Sequence, residues 1–312
     1  MSQETSRETI LATENLSKRF GRRTAVDGIS LGVLRGEVFG FLGPNGAGKS
    51  TTMRMILGLI RPSAGTVRIA GIDARRHRRK ALARLGAVVE GPAFYERLSG
   101  WENLKLFTSL GGGASRAEME GVLEIVGLRG RERDPVSIYS TGMRQRLGIA
   151  QALLPRPEII LLDEPGNGLD PRGSLEIRAL IRSLAEDHAL TIFLSSHLLH
   201  EVEQLCDRVG ILDRGKLLYQ GSVDGLLTQS SYLRVGVDKR DVARAYLETL
   251  EGVQVLYTEG ASLTLALAGH DPAWINARLV ERGFRVSELR NVRESLETIF
   301  LRLTSDDRER AA

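Results

Sequence analysis

One cysteine, Cys206, stands in 312 residues. A lone thiol builds neither an internal disulfide framework nor a cysteine cage for a metal, which fits a reducing compartment; its expected place is a small buried apolar site. Long apolar runs are also missing. None reaches the roughly 18 residues of a spanning helix, and the opening MSQETSRETI lacks the apolar core of a secretory signal, so the chain is not expected to cross a bilayer by itself. Strong charge of one sign is absent as well: 43 basic residues against 39 acidic give +4, thin for a dedicated nucleic-acid binder, and no nucleic-acid partner is expected. What the chain has is length, enough for one large core and a smaller one.

Periodicity divides that length. Residues 8–35 alternate apolar and polar types around a turn at Gly21 and Arg22, predicting an antiparallel β flap. A short apolar strand over Glu37–Leu42 then leads through a glycine-rich loop into a helix over Ser50–Ile60 that stops before Pro62. A strand at Thr66–Ala70 is followed by helices over Arg75–Leu85, Trp101–Leu110, Arg116–Val126 and Met143–Leu154. Strands at Ile159–Leu162, Thr191–Ser195 and Val209–Asp213 alternate with helices, the mark of a parallel sheet covered on its faces. After about residue 228 the order changes to strands at Tyr232–Val237, Val253–Tyr257, Ser262–Ala268 and Phe284–Leu289, with helices at Asp241–Leu250, Pro272–Gly283 and Glu294–Leu303. The expected fold is α/β, with domains at 1–228, including a helical subdomain over about 91–155, and a small α+β domain at 229–312.

The chemistry is densest at GPNGAGKST. Gly43, Pro44, Asn45, Gly46, Ala47, Gly48, Lys49, Ser50 and Thr51 match G-x-x-x-x-G-K-[ST] in full, after a strand and opening a helix, as the mechanism requires. Such a loop turns successive N–H groups toward phosphate oxygens and adds the positive end of the helix. Lys49 is expected on the β and γ phosphates of ATP, and Ser50 on Mg²⁺. A second signal, IILLDEP, delivers two carboxylates at a strand end: Asp163 for the Mg²⁺ shell and Glu164 as the general base on the attacking water. Period-two geometry sends successive side chains to opposite faces, so the two acids are expected in different jobs. The plainer readings are a glycine turn and a strand capped by solvated acids.

YSTGMRQRLGIAQALL, Tyr139–Leu154, resembles the signature of ATP-binding cassette (ABC) proteins, usually written LSGGQ followed by R-Q-R. Tyr139, Thr141 and Met143 depart from it; Ser140, Gly142, Arg144, Gln145 and Arg146 keep the expected types. A serine and a glycine at a helix start make an anion site with no lysine of its own. The resemblance covers about residues 8–228. It implies a two-fold homodimer in which each signature closes the other chain's nucleotide site, with Asp170 of GNGLDP as a cross-dimer contact and His197 of TIFLSSH as the switch at the γ-phosphate. It also implies a separate membrane permease and a cytoplasmic place, peripheral on the inner face of the cell membrane. Phe20 matches the aromatic that stacks on adenine, with core packing as its other reading.

Glu90 stands where the family has glutamine, in LGAVVEGPAFYERLSGWENL. Its expected role is an additional catalytic and Mg²⁺ or water ligand that tunes coupling to the permease, against a glutamate merely facing solvent. The pattern is similar to the bacitracin-resistance and lantibiotic-immunity branch of ABC exporters, and the ending SLETIFLRLT to the daunorubicin type. The resemblance implies that a groove over about 91–107 receives a helix of the permease, with Phe94, Tyr95 and Trp101 as walls or, alternatively, as core. The leading expectation is a transporter ATPase. An ABC ATPase acting on ribosomes or DNA lacks its second cassette or coiled coil here, and a dead binding module does not fit the intact Lys49, Ser50, Asp163, Glu164 and His197.

Overall fold

A computed structural model of the chain describes residues 8–109, 112–229, 231–260 and 262–309, so most of the opening segment, Ser230 and the Leu110 helix end lie outside the described residues. The chain divides into two compact units, Met1–Val223 and Asp224–Ala312, a few residues ahead of the joint expected near 228. Each is described by itself.

The first unit opens on β1 (Thr9–Phe20) and β2 (Arg23–Leu34), the predicted flap, paired from Thr9↔Leu34 to Phe20↔Arg23. β3 (Val38–Leu42) is buried at every residue and runs into α1 (Lys49–Ile56). That helix ends well before Pro62, because Gly58 takes φ +66 and its N–H returns to the Met55 carbonyl. β4 (Ala64–Ile69) and β5 (Ile72–Asp73) join the flap in the order β2-β1-β4-β5. The helix predicted over Arg75–Leu85 is only α2 (Arg78–Leu82), and β6 (Leu85–Val88) follows at once. Sequence reading did not mark β6, since four residues are too short to show a period.

α3 (Gly100–Ser109), α4 (Arg116–Ile125), a 3₁₀ turn at Val136–Ile138 and α5 (Thr141–Leu153) form the helical part. α4 starts on a capping box in which Ser115 and Glu118 satisfy each other's backbone N–H. β7 (Ile159–Asp163), α6 (Pro171–Glu186), β8 (Thr191–Ser196), α7 (Leu199–Leu205), β9 (Arg208–Asp213) and β10 (Lys216–Ser222) complete the sheet, in the order β10-β9-β3-β8-β7-β6. All neighbours are parallel except β10 on β9. β7 is apolar up to Asp163 and β8 is buried at every residue around Ile192, Phe193 and Leu194, as central strands covered on both faces are. Cys206 lies here, buried; lost solvation pushes its thiol far above the ordinary range, leaving an inert small residue as expected.

α8 (Val223–Gln229) begins at the division. The second unit is β11 (Ser231–Val237), α9 (Arg240–Leu247), β12 (Val253–Glu259), β13 (Ser262–Leu267), α10 (Pro272–Glu281), β14 (Val286–Arg293) and α11 (Leu296–Glu309). Its sheet, β12-β13-β11-β14, is antiparallel throughout, a split βαβ arrangement closed over Leu233, Val235, Leu247, Leu265, Ile275 and Leu279.

Candidate nucleotide site

The site lies where β3, β7 and β8 end, the side of a parallel sheet on which α/β proteins bind ligands. Between β3 and α1 the chain must turn tightly against β9. At Gly43 a Cβ would stand 2.4 Å from the Leu212 carbonyl oxygen. At Gly48, the residue before α1, φ is +110 and a Cβ would meet the Ala25 oxygen at 2.6 Å, so only glycine fits there without moving the flap. Gly48 offers α1 no side-chain cap, which leaves first-turn N–H groups for an anion.

Lys49 is threaded back through this loop. Its ammonium donates to the Gly43 carbonyl at 2.6 Å and stands 3.8 Å from Glu164 Oε1. Burial lowers its pKa, opposed by the charges of Glu164 and Asp163. Buried beside the loop carbonyls and two carboxylates, this cation stands where the phosphate loop would bring an anionic ligand.

The two carboxylates share a wall. Asp163 ends β7 and accepts a 2.5 Å hydrogen bond from Ser195 on the neighbouring β8, whose oxygen also accepts the Glu164 N–H at 3.0 Å. Period two predicted opposite faces for the pair; instead both line one cavity. The reason is local. Glu164 leaves the strand in the left-handed region, φ +50, an unfavourable conformation for glutamate held by the Ser195 backbone and hydroxyl. Its carboxylate is further fixed by His197, whose Nδ1 lies 2.7 Å from Oε2 and whose backbone N–H donates to the same oxygen at 3.3 Å.

The cavity measures about 540 Å³ and is lined by Pro44, Asn45, Gly46, Gly48, Lys49, Ser50 and Thr51, by Asp163, Glu164 and His197, and by Phe20 from the flap. Phe20 is 51% exposed, which rules out the core-packing reading; the Lys18 ammonium lies 5.0 Å from its ring centroid. Gly43 and Ala47 stand behind the wall, the first as acceptor for Lys49 and the second buried, with its carbonyl taking the Gly215 N–H. Arg23, Ala25 and Asn167 line the cavity too and were missed by sequence reading. Only Asn167 carried a signal, its place just after Glu164.

Three expected residues are elsewhere. Ser140 is exposed and caps α5 by accepting the Met143 N–H, Gly142 lies in the first turn of that helix, and Asp170 caps α6 through the Gly173 N–H at 2.7 Å. None lines the cavity. Tyr139, in place of leucine, is buried and donates to the Arg131 carbonyl at 2.6 Å, so close to Gly100 that a Cβ there would collide with its hydroxyl. The aromatic extra atoms are thus spent anchoring the start of α5.

Glu90 stands apart from this cavity. It was expected as a catalytic and metal ligand, but it takes φ +60, is 60% exposed and pairs with Arg54 of α1, outside the cavity. A carboxylate engaged by a guanidinium there is not among the cavity's oxygen donors. Of the expected groove walls, Phe94 and Tyr95 gather around Phe107, at 6.2 and 6.4 Å between ring centroids, and Trp101 lines a charged cavity with Arg116, Glu120 and Arg129.

Comparison with known proteins agrees with this geometry. The ABC transporter family model matches residues 26–167. The chain is 40% identical to the bacitracin transport ATP-binding protein BcrA of Bacillus licheniformis over 95% of its own length and 97% of that protein. It is 36% identical to the daunorubicin resistance ATP-binding protein DrrA3 of Streptomyces coeruleorubidus, over 96% and 98%. A solved ATP-binding subunit of an ABC transporter superposes with a TM-score of 0.62 at 33% identity, across 71% of this chain and 93% of that one. A dimeric ATP-binding cassette holding ADP and phosphate gives 0.60 at 25% identity, across 68% and 98%. Subunits of this kind hydrolyse ATP, dimerise and work with membrane permeases. Among the described residues no helix is long and apolar enough to cross a membrane. With the phosphate loop, paired acids and histidine arranged at one cavity, and relatives matching along nearly the whole chain, this protein belongs to the ATP-binding subunits of ABC transporters.

Proposed function

We propose that this chain drives export of an antibiotic, peptide or other drug-like compound through a separate permease on the inner face of the cell membrane, as a homodimer closed around two ATP. The observation that carries the chemistry is the Glu164 carboxylate, inside the phosphate-loop cavity and held by His197 at 2.7 Å and Lys49 at 3.8 Å. Glu164 takes a proton from a water; that water's oxygen bonds to the γ-phosphorus as the bond to the β-bridging oxygen breaks, leaving ADP and phosphate. His197 holds the base in line. Lys49 neutralises the β and γ phosphate oxygens, and the open face of Phe20 takes the adenine.

Mg²⁺ fits the donors present. Ser50 and Asp163 offer hard oxygens on the same cavity and would hold the ion, which ordinarily keeps several waters and substrate phosphate oxygens as well. Bound there, the ion would offset charge on the transferred phosphoryl group. Ser140 and Asp170, exposed, and Gly142, half-buried, lie at helix starts away from the chain's own cavity and fit a surface that closes the partner's site. The export reading is supported by the bacitracin and daunorubicin relatives.

The test is Glu164→Gln. We expect ATP to bind as in the wild type while turnover falls about 100-fold or more, measured by phosphate release. Turnover within about threefold of wild type would move the base elsewhere.

A further inference from the structure

Charge is unevenly distributed along this chain. Between Arg61 and Arg84 there are eight basic residues against one acid, Asp73, so this stretch alone exceeds the +4 of the whole protein. Arg75, Arg76, His77, Arg78, Arg79 and Lys80 are consecutive. The nucleotide cavity uses none of them.

The fold turns this run into a face. Asp73 Oδ1 accepts the N–H groups of Arg75 and Arg76 at 2.8 and 3.1 Å, fixing the loop before α2. Arg78 Nη2 donates to the Gly58 carbonyl at 2.9 Å, which ties the run to the end of α1. Arg61, Arg75 and Arg78 then surround one groove of about 670 Å³, floored by Met55, Ile60 and Val67. Other arginines of the stretch have acids: Arg68 has Glu14, Arg76 has Asp73, Arg84 has Glu158. Arg61, Arg75, Arg78, Arg79 and Lys80 are exposed and, among the described residues, have no carboxylate within 4.0 Å. Leu59, three residues beyond the end of α1, is 62% exposed.

Like charges crowded on a surface without counter-charges repel each other, and an anionic partner relieves that cost. An apolar side chain among basic ones is the composition that rests at a headgroup boundary. A single-stranded nucleic acid would instead use aromatic platforms, and no aromatic residue lines the groove. We propose that this face, Arg61, Arg75, Arg78, Arg79 and Lys80 with Leu59, rests on the anionic phospholipid headgroups of a bilayer. The proposal places the face near a membrane and in that respect rests on the reading of a permease-bound subunit.

The experiment is co-sedimentation of the full chain, without nucleotide, with vesicles of phosphatidylglycerol mixed with phosphatidylcholine, against phosphatidylcholine alone. Binding should require the anionic lipid and be strong at about 0.1 M salt, where charges act over about 10 Å, and fade near 1 M, where they act over about 3 Å. The triple variant Arg75→Glu, Arg79→Glu, Lys80→Glu should lose at least about tenfold in vesicle affinity while keeping its thermal midpoint and ATP hydrolysis. If that variant does not fold, Leu59→Ser together with the salt series on the wild type decides the matter. Equal binding to neutral vesicles, no binding at low salt, or no loss in a folded variant overturns the proposal. A short oligonucleotide that binds more tightly than the vesicles, and is lost with the same substitutions, overturns it in favour of nucleic acid. Vesicle binding by a chain that hydrolyses no ATP would leave this face standing and remove only the ATPase reading.

Discussion

Two helices of this chain begin with a residue set suited to an anion, and they are finished to different degrees. Ahead of α1, Lys49 is threaded back to the Gly43 carbonyl, both acids face the same cavity, and Ser195 and His197 lock those acids from the next strand. Ahead of α5, Ser140 satisfies its own helix and Tyr139 is spent on anchoring to Arg131. The first gathers a cation, two acids and a phosphate loop around one cavity; the second presents a serine and a glycine at a helix start outside it. A chain that carried both in one cavity would need no partner. Their separation is the physical argument for the shared, two-fold arrangement proposed above.

The comparison breaks most visibly at Lys49. Lys49→Ala removes a cation buried against the phosphate loop, and charge-assisted contacts of this kind are worth about 1.5–3 kcal/mol, so ATP affinity should fall about 10- to 100-fold in a calorimetric titration. Unchanged affinity would mean the cavity is not the nucleotide site. Next comes the second element. Ser140→Arg should leave ATP binding to the isolated chain intact yet abolish turnover, and mixing it with Lys49→Ala should restore activity through one complete site per heterodimer. If the mixture is as inactive as its parts, the elements do not meet across subunits.

Glu90 supplies a milder contrast. As an exposed partner of Arg54 it contributes the small energy of a surface pair, so Glu90→Ala should alter ATP affinity and basal hydrolysis by less than about threefold. A role in coupling to the permease would then show as a larger loss of transport than of hydrolysis in the same reconstituted complex, with Glu90→Gln the gentler change. A collapse of hydrolysis would put the carboxylate in the nucleotide shell after all.

The smallest effect is in folding. Glu158, at the start of β7, is bridged by Arg35 at 2.7 Å and Arg84 at 2.6 Å, which hold its carboxyl below the ordinary value of 4.5. A depressed acid stabilises the fold fully above its unfolded value and loses that contribution as pH falls through the folded one. Thermal midpoints of the wild type should therefore drop toward those of Glu158→Gln between pH 6 and the acid range below about 4.5, by a few degrees at most for partly exposed partners. A gap between the two proteins that stays constant with pH would show that the carboxylate's charge contributes nothing.

The sequence by itself determined the phosphate loop, the paired acids, most of the order of strands and helices, and a second α+β unit, because each rests on local pattern: fixed spacing, period and turn chemistry. Lys49, Ser50, Asp163, Glu164, His197 and Phe20 do share one cavity. Tertiary structure decided what depends on contacts distant along the chain. Only the fold of Glu164 into φ +50 against Ser195 brings it to the same side as Asp163, which strand period alone had denied. Only packing against Gly100 and Arg131 shows what Tyr139 is for. Arg54 lies 36 positions before Glu90 in the chain, and no local pattern announces that it will claim that carboxylate. The same holds for the basic face, whose residues are plain in the sequence while their convergence with Arg61 around one groove is made by the turn from α1 through β4 and β5 into α2. Side-chain direction at a strand end and the choice of ion-pair partner are set by neighbours far away in sequence, and those neighbours exist only once the chain has folded.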